Sequence, residues 1–509
     1  MPQYTPFTIS SFETGYFTAR EPWKAPKDAF PTLLDARVDR GFLQKRSGLT
    51  ELADTSAGYP IMGIHAHVRK GHPAYLVADT KRLYEYRPYA ETLTDLAGSD
   101  TFTGSSRNFF WFQDWHDKCY LCNGVNPPYV YDDQADTLTE LDTVSDSDTD
   151  VQIDACQMIF VYKSRLLFFG ATIDGTWRPR RVYYSEVNTE QVKALNYDDI
   201  DAPDIFVSGC YVNDVPTLFG HEGTVARIKY TFSSDTPFSF EPAEQGSGTL
   251  GPLRAPLYQR MAIRVGHEGL MSWDGFQSKR MGPQIRDFVA ETAGLQNWLM
   301  QATMRRDRAI LYLAYPNDGS SSNDRILEYN MDEDTFAVHR LSAHTMLGTT
   351  GHMVLEPTFF DDGYVTDATD LDVIRHPTYG AFTLMGGHTG KLYMMNSGSD
   401  DDGSDIDAEV WSTALNPFVE QGLQCFFGRC RILVGTDATK SCTVSFYKDL
   451  SETAYATATL SAAGDGDKHW VELCPNGQAG NFHRMAFTGD LPDIHAIQCD
   501  FAPAGRLSS

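Results

Sequence analysis

The residues that could do chemistry in this chain of 509 residues fall into a few short patterns. Cys119 and Cys122 have the two-residue gap of a zinc knuckle, but no second Cys pair or His pair follows at the required distance. Residues three apart on a strand point to opposite faces, so two such thiols would not converge on one ion. We interpret both as buried strand residues and predict no metal ligands.

Two His-Glu pairs stand between glycines, at residues 220–223 and 266–269. A histidine beside a carboxylate could bind a metal or act as a general acid. The two copies are 46 residues apart, and a weaker third copy with His388 lies at residues 387–390. A tight turn needs glycine where φ is positive and explains why the pattern repeats, so we predict strand-turn-strand units here.

Two acidic stretches, residues 146–150 and 400–403, invite comparison with calcium loops. The second places Gly403 and Glu409 where such a loop has its glycine and last ligand, but Gly398 stands where the first aspartate must be. The first stretch lacks the glycine altogether. We interpret both as hydrated acidic loops, with calcium binding as the alternative.

The remaining catalytic patterns give no enzyme signature. The chain has no Gly-rich phosphate loop, HExxH, GxSxG or basic aromatic patch. Four tryptophans could line a sugar-binding groove, although strand aromatics more often form the core: Trp111, Trp115, Trp273 and Trp298. With 68 acidic residues, only the separation of carboxyl pairs would reveal a glycosidase. We predict no catalytic residue and no cofactor, and keep a glycan-binding or glycan-cleaving propeller as the alternative.

An internal repeat predicts the elements that carry these residues. Residues 72–98 align with residues 117–143 at an offset of 45, so that Tyr75 corresponds to Tyr120 and Tyr84 to Tyr129. Four short strands in about 40 to 50 residues are typical of a β-propeller blade. The fold class is therefore all-β, a β-propeller of six or seven blades. Candidate blades begin near Ile61, Asn108, Met158, Val215, Met261, Ala309 and Ala381.

Composition divides the chain into four parts. Residues 1–57 carry five prolines, which predicts an extended N-terminal arm with one helical turn at residues 30–38. The propeller follows at residues 58–398, with a helical insertion near residues 284–303. An acidic linker at residues 399–407 precedes a C-terminal β-sandwich module at residues 408–509.

The net charge limits the classes of partner that the chain could bind. Asp and Glu number 68 against 42 Lys and Arg, a formal net charge of −26. That excess argues against a surface that grips phosphates, whereas an acidic wall lets DNA pass without sticking. The sequence contains no run of about 18 apolar residues and no secretion signal, which predicts a chain without a membrane span. Nine scattered cysteines suggest free thiols made in a reducing cytosol.

The N-terminal segment resembles a known family. After Phe12-Glu-Thr-Gly-Tyr and Arg20-Glu-Pro-Trp, it runs through Asp35, Val38, Gly41, Leu43, Arg46 and Gly48. This spacing resembles the N-terminal segment of tail proteins of tailed bacteriophages, in which a line of the type N-x-x-V-x-x-G-x-L-x-x-R-P-G precedes a propeller. Asp35 stands where Asn is usual, and Ser47 where Pro is usual. The layout of arm, propeller and β-module looks like the tail hub or nozzle (tail stabilisation or accessory) proteins of short-tailed phages.

The resemblance implies a structural, non-enzymatic component of the virion tail, assembled in the bacterial host cytoplasm. Such a protein is expected to form a homo-oligomeric ring, a hexamer, which joins the portal through an adaptor ring and extends the DNA-ejection channel. Tail fibres, tailspikes or a needle attach to it, and genomic DNA passes through the lumen without specific binding. The acidic balance suits a conduit, and predicts Asp and Glu on the channel-facing surface.

Overall fold

The computed structural model describes residues 4–69, 72–87, 92–146, 148–233, 236–246, 248–251, 255–285, 292, 294–340, 345–346, 383–435 and 439–507. Within these ranges the regular secondary structure is β-strand and short 3-10 turns, with no α-helix. The described helices are short 3-10 turns at Pro283–Ile285, Gly294–Leu299, Arg306–Arg308 and Val419–Gln421. No helix in the described part of the chain is long and apolar enough to cross a membrane.

Seven four-stranded antiparallel units follow one another and form the blades of a β-propeller. Blades 1 to 3 comprise Ile61–Arg69, His72–Asp79, Leu83–Arg87 and Thr92–Asp95; Trp111–Trp115, Lys118–Cys122, Tyr129–Asp132 and Thr137–Glu140; and Met158–Tyr162, Arg165–Ile173, Thr176–Tyr184 and Tyr197–Asp199. Blades 4 to 6 comprise Phe206–Val212, Val215–Gly220, Val225–Tyr230 and Phe238–Glu244; Leu257–Tyr258, Met261–Gly266, Gly269–Trp273 and Ser278–Arg280; and Gln301–Arg305, Ile310–Tyr315, Arg325–Asn330 and Thr335–Arg340.

Blade 7 is completed by a strand from the other end of the chain. Its consecutive strands are Thr345–Met346, Thr383–Gly387 and Lys391–Met395, and its outermost strand is Leu49–Asp54. Leu49–Asp54 pairs antiparallel with Lys391–Met395. The chain therefore closes the ring with a strand that precedes blade 1, and the predicted propeller boundary at residue 58 falls too late.

A hydrophobic cluster lies at every junction between blades, which shows that the ring is closed. Pairs that share a cluster across successive junctions are Met62 and Leu121, Trp111 and Phe160, Phe160 and Leu218, Phe219 and Trp273, Ile263 and Met304, Tyr312 and Met385, and Leu384 and Tyr75. At the last junction a Cβ on Gly386 would lie 2.5 Å from Cγ2 of Ile61, so only glycine fits. The predicted propeller is confirmed, with seven blades.

The predicted starts of the later blades are displaced by one strand. Val215 and Met261 begin the second strands of blades 4 and 5, and Ala309 immediately precedes the second strand of blade 6. The error arises because the repeated glycine turns, which set the phase of the prediction, follow the second strand of a blade. Ala381 lies outside the described residues.

The N-terminal segment is not the extended arm that the sequence predicts but a set of strands within the fold. Thr5–Ile9 pairs with Asp493–Arg506, and Thr32–Leu34 lies between Thr335–Arg340 and Ala408–Trp411. Ala36–Asp39 and Phe42–Lys45 form a hairpin. The helical turn predicted at residues 30–38 is therefore wrong. Burial alternates within each of the two strands there, with Leu33 inside in the first strand and Ala36 and Val38 inside in the second.

The C-terminal region is a β-sandwich, as predicted, but it includes N-terminal strands. One sheet contains His469–Leu473, Leu423–Gly435, Asp493–Arg506, Phe42–Lys45 and Ala36–Asp39, with Thr5–Ile9 and Ala479–Gly480 at its side. The other continues from blade 6 through Thr32–Leu34 into Ala408–Trp411, His483–Gly489, Thr439–Lys448 and Ala456–Ala463. Phe427 of the first sheet packs on Phe446 of the second, with ring centroids 5.6 Å apart. Residue 408 is therefore not a domain boundary, since propeller and sandwich share one sheet.

The insertion predicted near residues 284–303 is only partly within the described residues, because Phe288 and Val289 lie outside them. The described part holds the two 3-10 turns, and Gln301–Arg305 already belongs to blade 6. Leu299 and Trp298 of the second turn pack in the cluster of blades 1 and 2. Residues 294–299, which precede blade 6, therefore reach across the ring to blades 1 and 2.

Candidate functional site

The motif residues of the N-terminal segment occupy positions with special backbone requirements. Asp35 has φ of +54°, in the left-handed region that Asn and Asp tolerate better than most residues. The left-handed backbone therefore explains why Asp can stand here in place of the usual Asn. Gly41 also has a positive φ of +76°. A Cβ on Gly48 would lie 1.7 Å from the carbonyl oxygen of Asp400, so the motif glycine permits close approach of two chain segments.

Buried ion pairs join this motif to the end of the propeller. The Arg46 guanidinium lies 2.8 Å from Oδ1 of Asp35 through Nε and 2.8 Å from Oδ1 of Asp401 through Nη1. Arg340 binds the other oxygen of Asp35. Burial disfavours the charged form of Asp35, but the two guanidinium groups outweigh it and hold its pKa below the usual range. The motif arginine is thus the centre of a network that links three segments.

A second buried network connects the same segment to blade 6. Oε1 of Glu328 lies 3.7 Å from Nη1 of Arg37, and Oε2 lies 3.0 Å from Nε2 of His339. Burial would raise the pKa of Glu328, but the charge of Arg37 and the hydrogen bond from His339 lower it to about 2. The carboxylate is therefore ionised inside the protein at neutral pH.

The repeated glycine turns connect strands, as predicted. Residues 221–224 join the second and third strands of blade 4, and residues 267–268 join those of blade 5. Gly223 and Gly269 have positive φ values of +131° and +114°. His388 lies in the corresponding turn of blade 7. Glu222 and Glu268 are exposed, and Nε2 of His267 lies 2.9 Å from the backbone oxygen of His221 rather than beside a carboxylate.

The acidic stretches engage partners within the protein. Oδ2 of Asp150 accepts hydrogen bonds from the backbone N–H groups of Ser145 and Asp146. Asp402 pairs with Lys391 at 3.0 Å, and Asp401 pairs with Arg46. The prediction of a solvated linker at residues 399–407 is therefore wrong in part, because two of its carboxylates form ion pairs with cations of the N-terminal segment and blade 7.

The candidate tryptophans do not line a groove. Trp111 and Trp273 are buried in clusters between blades, and Trp115 and Trp298 pack against such clusters. Cys119 and Cys122 lie in different clusters, which confirms that the two thiols point to opposite faces of their strand. Neither cysteine is in a disulfide.

Cys119 nevertheless belongs to a group of potential metal ligands at the junction of blades 1 and 2. His65 and His67 are alternate residues of the first strand of blade 1, so they share one face. Asp114 and Cys119 are directly opposite each other on neighbouring strands of blade 2. One ligand atom from each of these four residues lies within 4.8 Å of all the others.

The carboxylate of Asp114 joins the two imidazoles. Its Oδ2 lies 2.8 Å from Nε2 of His65, and its Oδ1 lies 2.8 Å from Nδ1 of His67. The far nitrogen of His67, Nε2, lies 2.9 Å from Oδ1 of the buried Asp133. The His65 ring stacks on Phe112 with centroids 5.3 Å apart. Both imidazoles are therefore held in orientation before any ligand arrives.

Two carboxylates stabilise positive charge on the imidazoles of this cluster. Burial would lower the pKa of His67, but hydrogen bonds to Asp114 and Asp133 raise it above its usual value. The pKa of Asp114 lies far below its usual range because the two imidazoles outweigh its burial. The side chain of Asp114 is 41% exposed, so the cluster has a path to solvent.

The sequence analysis missed this cluster. The available signal was the His-x-His spacing of residues 65 and 67 on a predicted strand, which places two ring nitrogens on one face. Nothing in the sequence shows that Asp114 and Cys119 of the next blade complete the group, because that depends on how two blades pack.

The fold and its sites define an all-β protein, a seven-bladed propeller joined to a β-sandwich. No protein-family profile and no curated protein matches the chain. Solved structures similar to it include YCF48 from Cyanidioschyzon merolae, with 9% identity, a TM-score of 0.40, and coverage of 69% of this chain and 98% of that chain. YCF48 bound to D1 peptide has 7% identity, a TM-score of 0.39, and coverage of 69% and 95%. The computationally designed Ika8 protein has 8% identity, a TM-score of 0.37, and coverage of 68% and 99%.

Proposed function

We propose that this chain is a structural, non-enzymatic subunit of the tail of a short-tailed bacteriophage, of the tail hub or nozzle kind. The observation that carries the proposal is the role of the motif residues. Gly41, Arg46 and Gly48 match the phage-tail pattern, and Asp35 stands in place of its Asn. Each of the four meets a backbone or charge requirement where the N-terminal segment crosses the fold. The likeness therefore involves residues on which the architecture depends.

The proposed assembly is a ring of about six copies that continues the channel below the portal and its adaptor. The propeller axis of a single chain does not suit DNA passage, since the segment with Trp298 and Leu299 reaches across the ring. The guanidinium of Arg107 lies 5.3 Å from the Trp298 ring and adds to this crossing. The conduit is accordingly formed between copies, with acidic side chains facing the DNA.

Contacts between copies must come from the folded surface. The N-terminal segment is paired within its own chain, so it does not act as an exchanged arm. Phe232 and Phe276 are 86% and 79% exposed, in loops between the third and fourth strands of adjacent blades 4 and 5. Exposed aromatic residues of this size are common at protein interfaces. We assign this pair to the contact with a neighbouring copy.

Immunogold labelling tests the proposal. Antibodies raised against the full chain are applied to purified particles from lysed host cells, and the labelled particles are imaged. We expect gold at the single tail vertex of the particles, below the portal. Particles that contain no detectable chain by labelling or mass spectrometry would contradict the proposal.

A further inference from the structure

The four-residue cluster between blades 1 and 2 has the dimensions of a metal site. A tetrahedral zinc ion with bonds of about 2.0 to 2.3 Å separates its ligand atoms by roughly 3.3 to 3.8 Å. The distances here are 2.8 Å from Asp114 to each imidazole, and no pair of ligand atoms exceeds 4.8 Å. Small side-chain adjustments therefore suffice to place all four donors around one ion.

The donor types select the metal. A thiolate and two imidazoles bind borderline and soft ions such as Zn²⁺ better than Mg²⁺ or Ca²⁺, which prefer oxygen ligands. Asp114 supplies a strong fourth donor, which favours tetrahedral zinc over the trigonal copper sites that have only a weak axial ligand. Cys119 is buried beside these groups and is not in a disulfide.

A second layer of contacts supports the assignment. Histidines that bind a metal through one ring nitrogen commonly donate the other N–H to a carboxylate, which fixes the ring and its tautomer. His67 has this arrangement, with Nδ1 toward the cluster and Nε2 2.9 Å from the buried Asp133. His65 is oriented by its stacking on Phe112.

We propose that His65, His67, Asp114 and Cys119 bind one zinc ion, which fastens the first strand of blade 1 to blade 2. The ion replaces the protons that otherwise lie between Asp114 and the two imidazoles, and Cys119 releases its thiol proton to bind as the thiolate. His67 binds through Nδ1 and donates its Nε2–H to Asp133. The role is structural, since four protein ligands leave no open position. This inference is independent of the tail proposal.

Metal analysis of the full chain tests the site. The protein is expressed with zinc in the medium, purified without a metal-affinity tag, and measured by plasma mass spectrometry. We expect about one zinc per chain in the wild type, and loss of zinc in Cys119→Ala and His67→Ala. Cys122→Ala is the matched control, because Cys122 is equally buried on the same strand but faces the other way. Circular dichroism verifies that each variant is folded.

Cobalt provides a reading that does not depend on zinc content. Co²⁺ added to the chelated wild type should give the charge-transfer band of a cobalt–thiolate bond. The band should persist in Cys122→Ala and disappear in Cys119→Ala. A folded wild type that takes up neither zinc nor cobalt would overturn the proposal, as would full metal retention in Cys119→Ala. Preferential uptake of copper with a blue thiolate band would overturn the choice of zinc.

Discussion

Arg46 and Asp401, 355 residues apart, form a two-point ion pair with Nη1–Oδ1 of 2.8 Å and Nη2–Oδ2 of 2.5 Å. Asp35 occupies the remaining Nε of the guanidinium at 2.8 Å. The chain thereby fixes its N-terminal motif to the segment that leaves blade 7. The closing strand Leu49–Asp54 begins three residues after Arg46, so this ion pair positions the strand that completes the ring.

Replacement of Arg46 by Met should strongly destabilise the protein, because it leaves Asp35 buried and Asp401 without its main cation. Breaking a buried pair by removing one partner costs about 3 to 5 kcal/mol. Urea denaturation of both proteins measures the difference in the free energy of unfolding. Arg82→Met is the control, because Arg82 lies at the surface and pairs with the half-exposed Asp95 and the exposed Asp100, so its loss should destabilise the protein much less. Equal losses in the two variants would contradict the role of Arg46.

Deletion of residues 1–57 should prevent folding rather than only assembly. The deletion removes the outer strand of blade 7 and the strands that join propeller to sandwich. We expect insoluble or protease-sensitive protein, measured by limited proteolysis and circular dichroism. A well-folded monomer that merely fails to oligomerise would show that the segment is an exchanged arm instead.

Substitution of the exposed Phe232 and Phe276, on blades 4 and 5, should affect assembly without affecting folding. The double variant Phe232→Asp and Phe276→Asp should leave thermal stability within a few degrees of the wild type, because both side chains are exposed. It should abolish the ring, as measured by light scattering after size-exclusion chromatography of the assembled material. The exposed Leu450→Asp in the sandwich serves as the control and should assemble normally. Normal assembly of the double variant would place the contact elsewhere.

The buried carboxylate of Glu328 predicts a pH dependence of stability. Its pKa is about 2 in the folded chain, against 4.5 as the ordinary value. The lowered pKa means that the ionised form stabilises the fold above pH 4.5, and that this contribution is lost as the pH falls toward 2. Its size is on the order of 3 kcal/mol.

Glu328→Gln tests that dependence. The variant should be less stable than the wild type at pH 7, and the difference should shrink as denaturation is repeated between pH 4.5 and pH 2. Asp332→Asn is the control, because Asp332 is exposed in the turn that follows the strand of Glu328. Its stability difference from the wild type should not shrink over this pH range. A difference that is constant with pH would contradict the ionised state of Glu328.

Asp133→Asn tests the support of the zinc site. Asp133 touches His67 rather than the proposed ion, so the variant should still bind one zinc but about 10- to 100-fold more weakly. Competition with a coloured chelator measures the affinity. Exposed Asp117→Asn, nearby on blade 2, should bind as the wild type does. Unchanged affinity in Asp133→Asn would show that His67 needs no carboxylate to orient it.

The blades can be predicted from the sequence, whereas the contacts between distant segments cannot. Tyr75 and Tyr120 recur at the blade spacing because each blade repeats the same local hairpins, and local patterns survive in the sequence. Leu49–Asp54 has an ordinary strand pattern, and nothing local reveals that its partner lies beyond residue 390. The same limit hid the zinc ligands, because His67 and Asp114 meet only when two blades pack. The sequence shows Asp35 as a departure from the pattern that the segment resembles, but it does not show the left-handed backbone at Asp35 that makes Asp acceptable there.

Electron cryomicroscopy of the intact particle tests the central claim most directly. The account predicts a closed ring of about six copies, coaxial with the portal. Each copy should show seven blades with the N-terminal segment folded into its own subunit, and Asp and Glu should line the channel. A tail in which this chain is absent, or a ring whose inner wall is lined with Lys and Arg, would contradict the account.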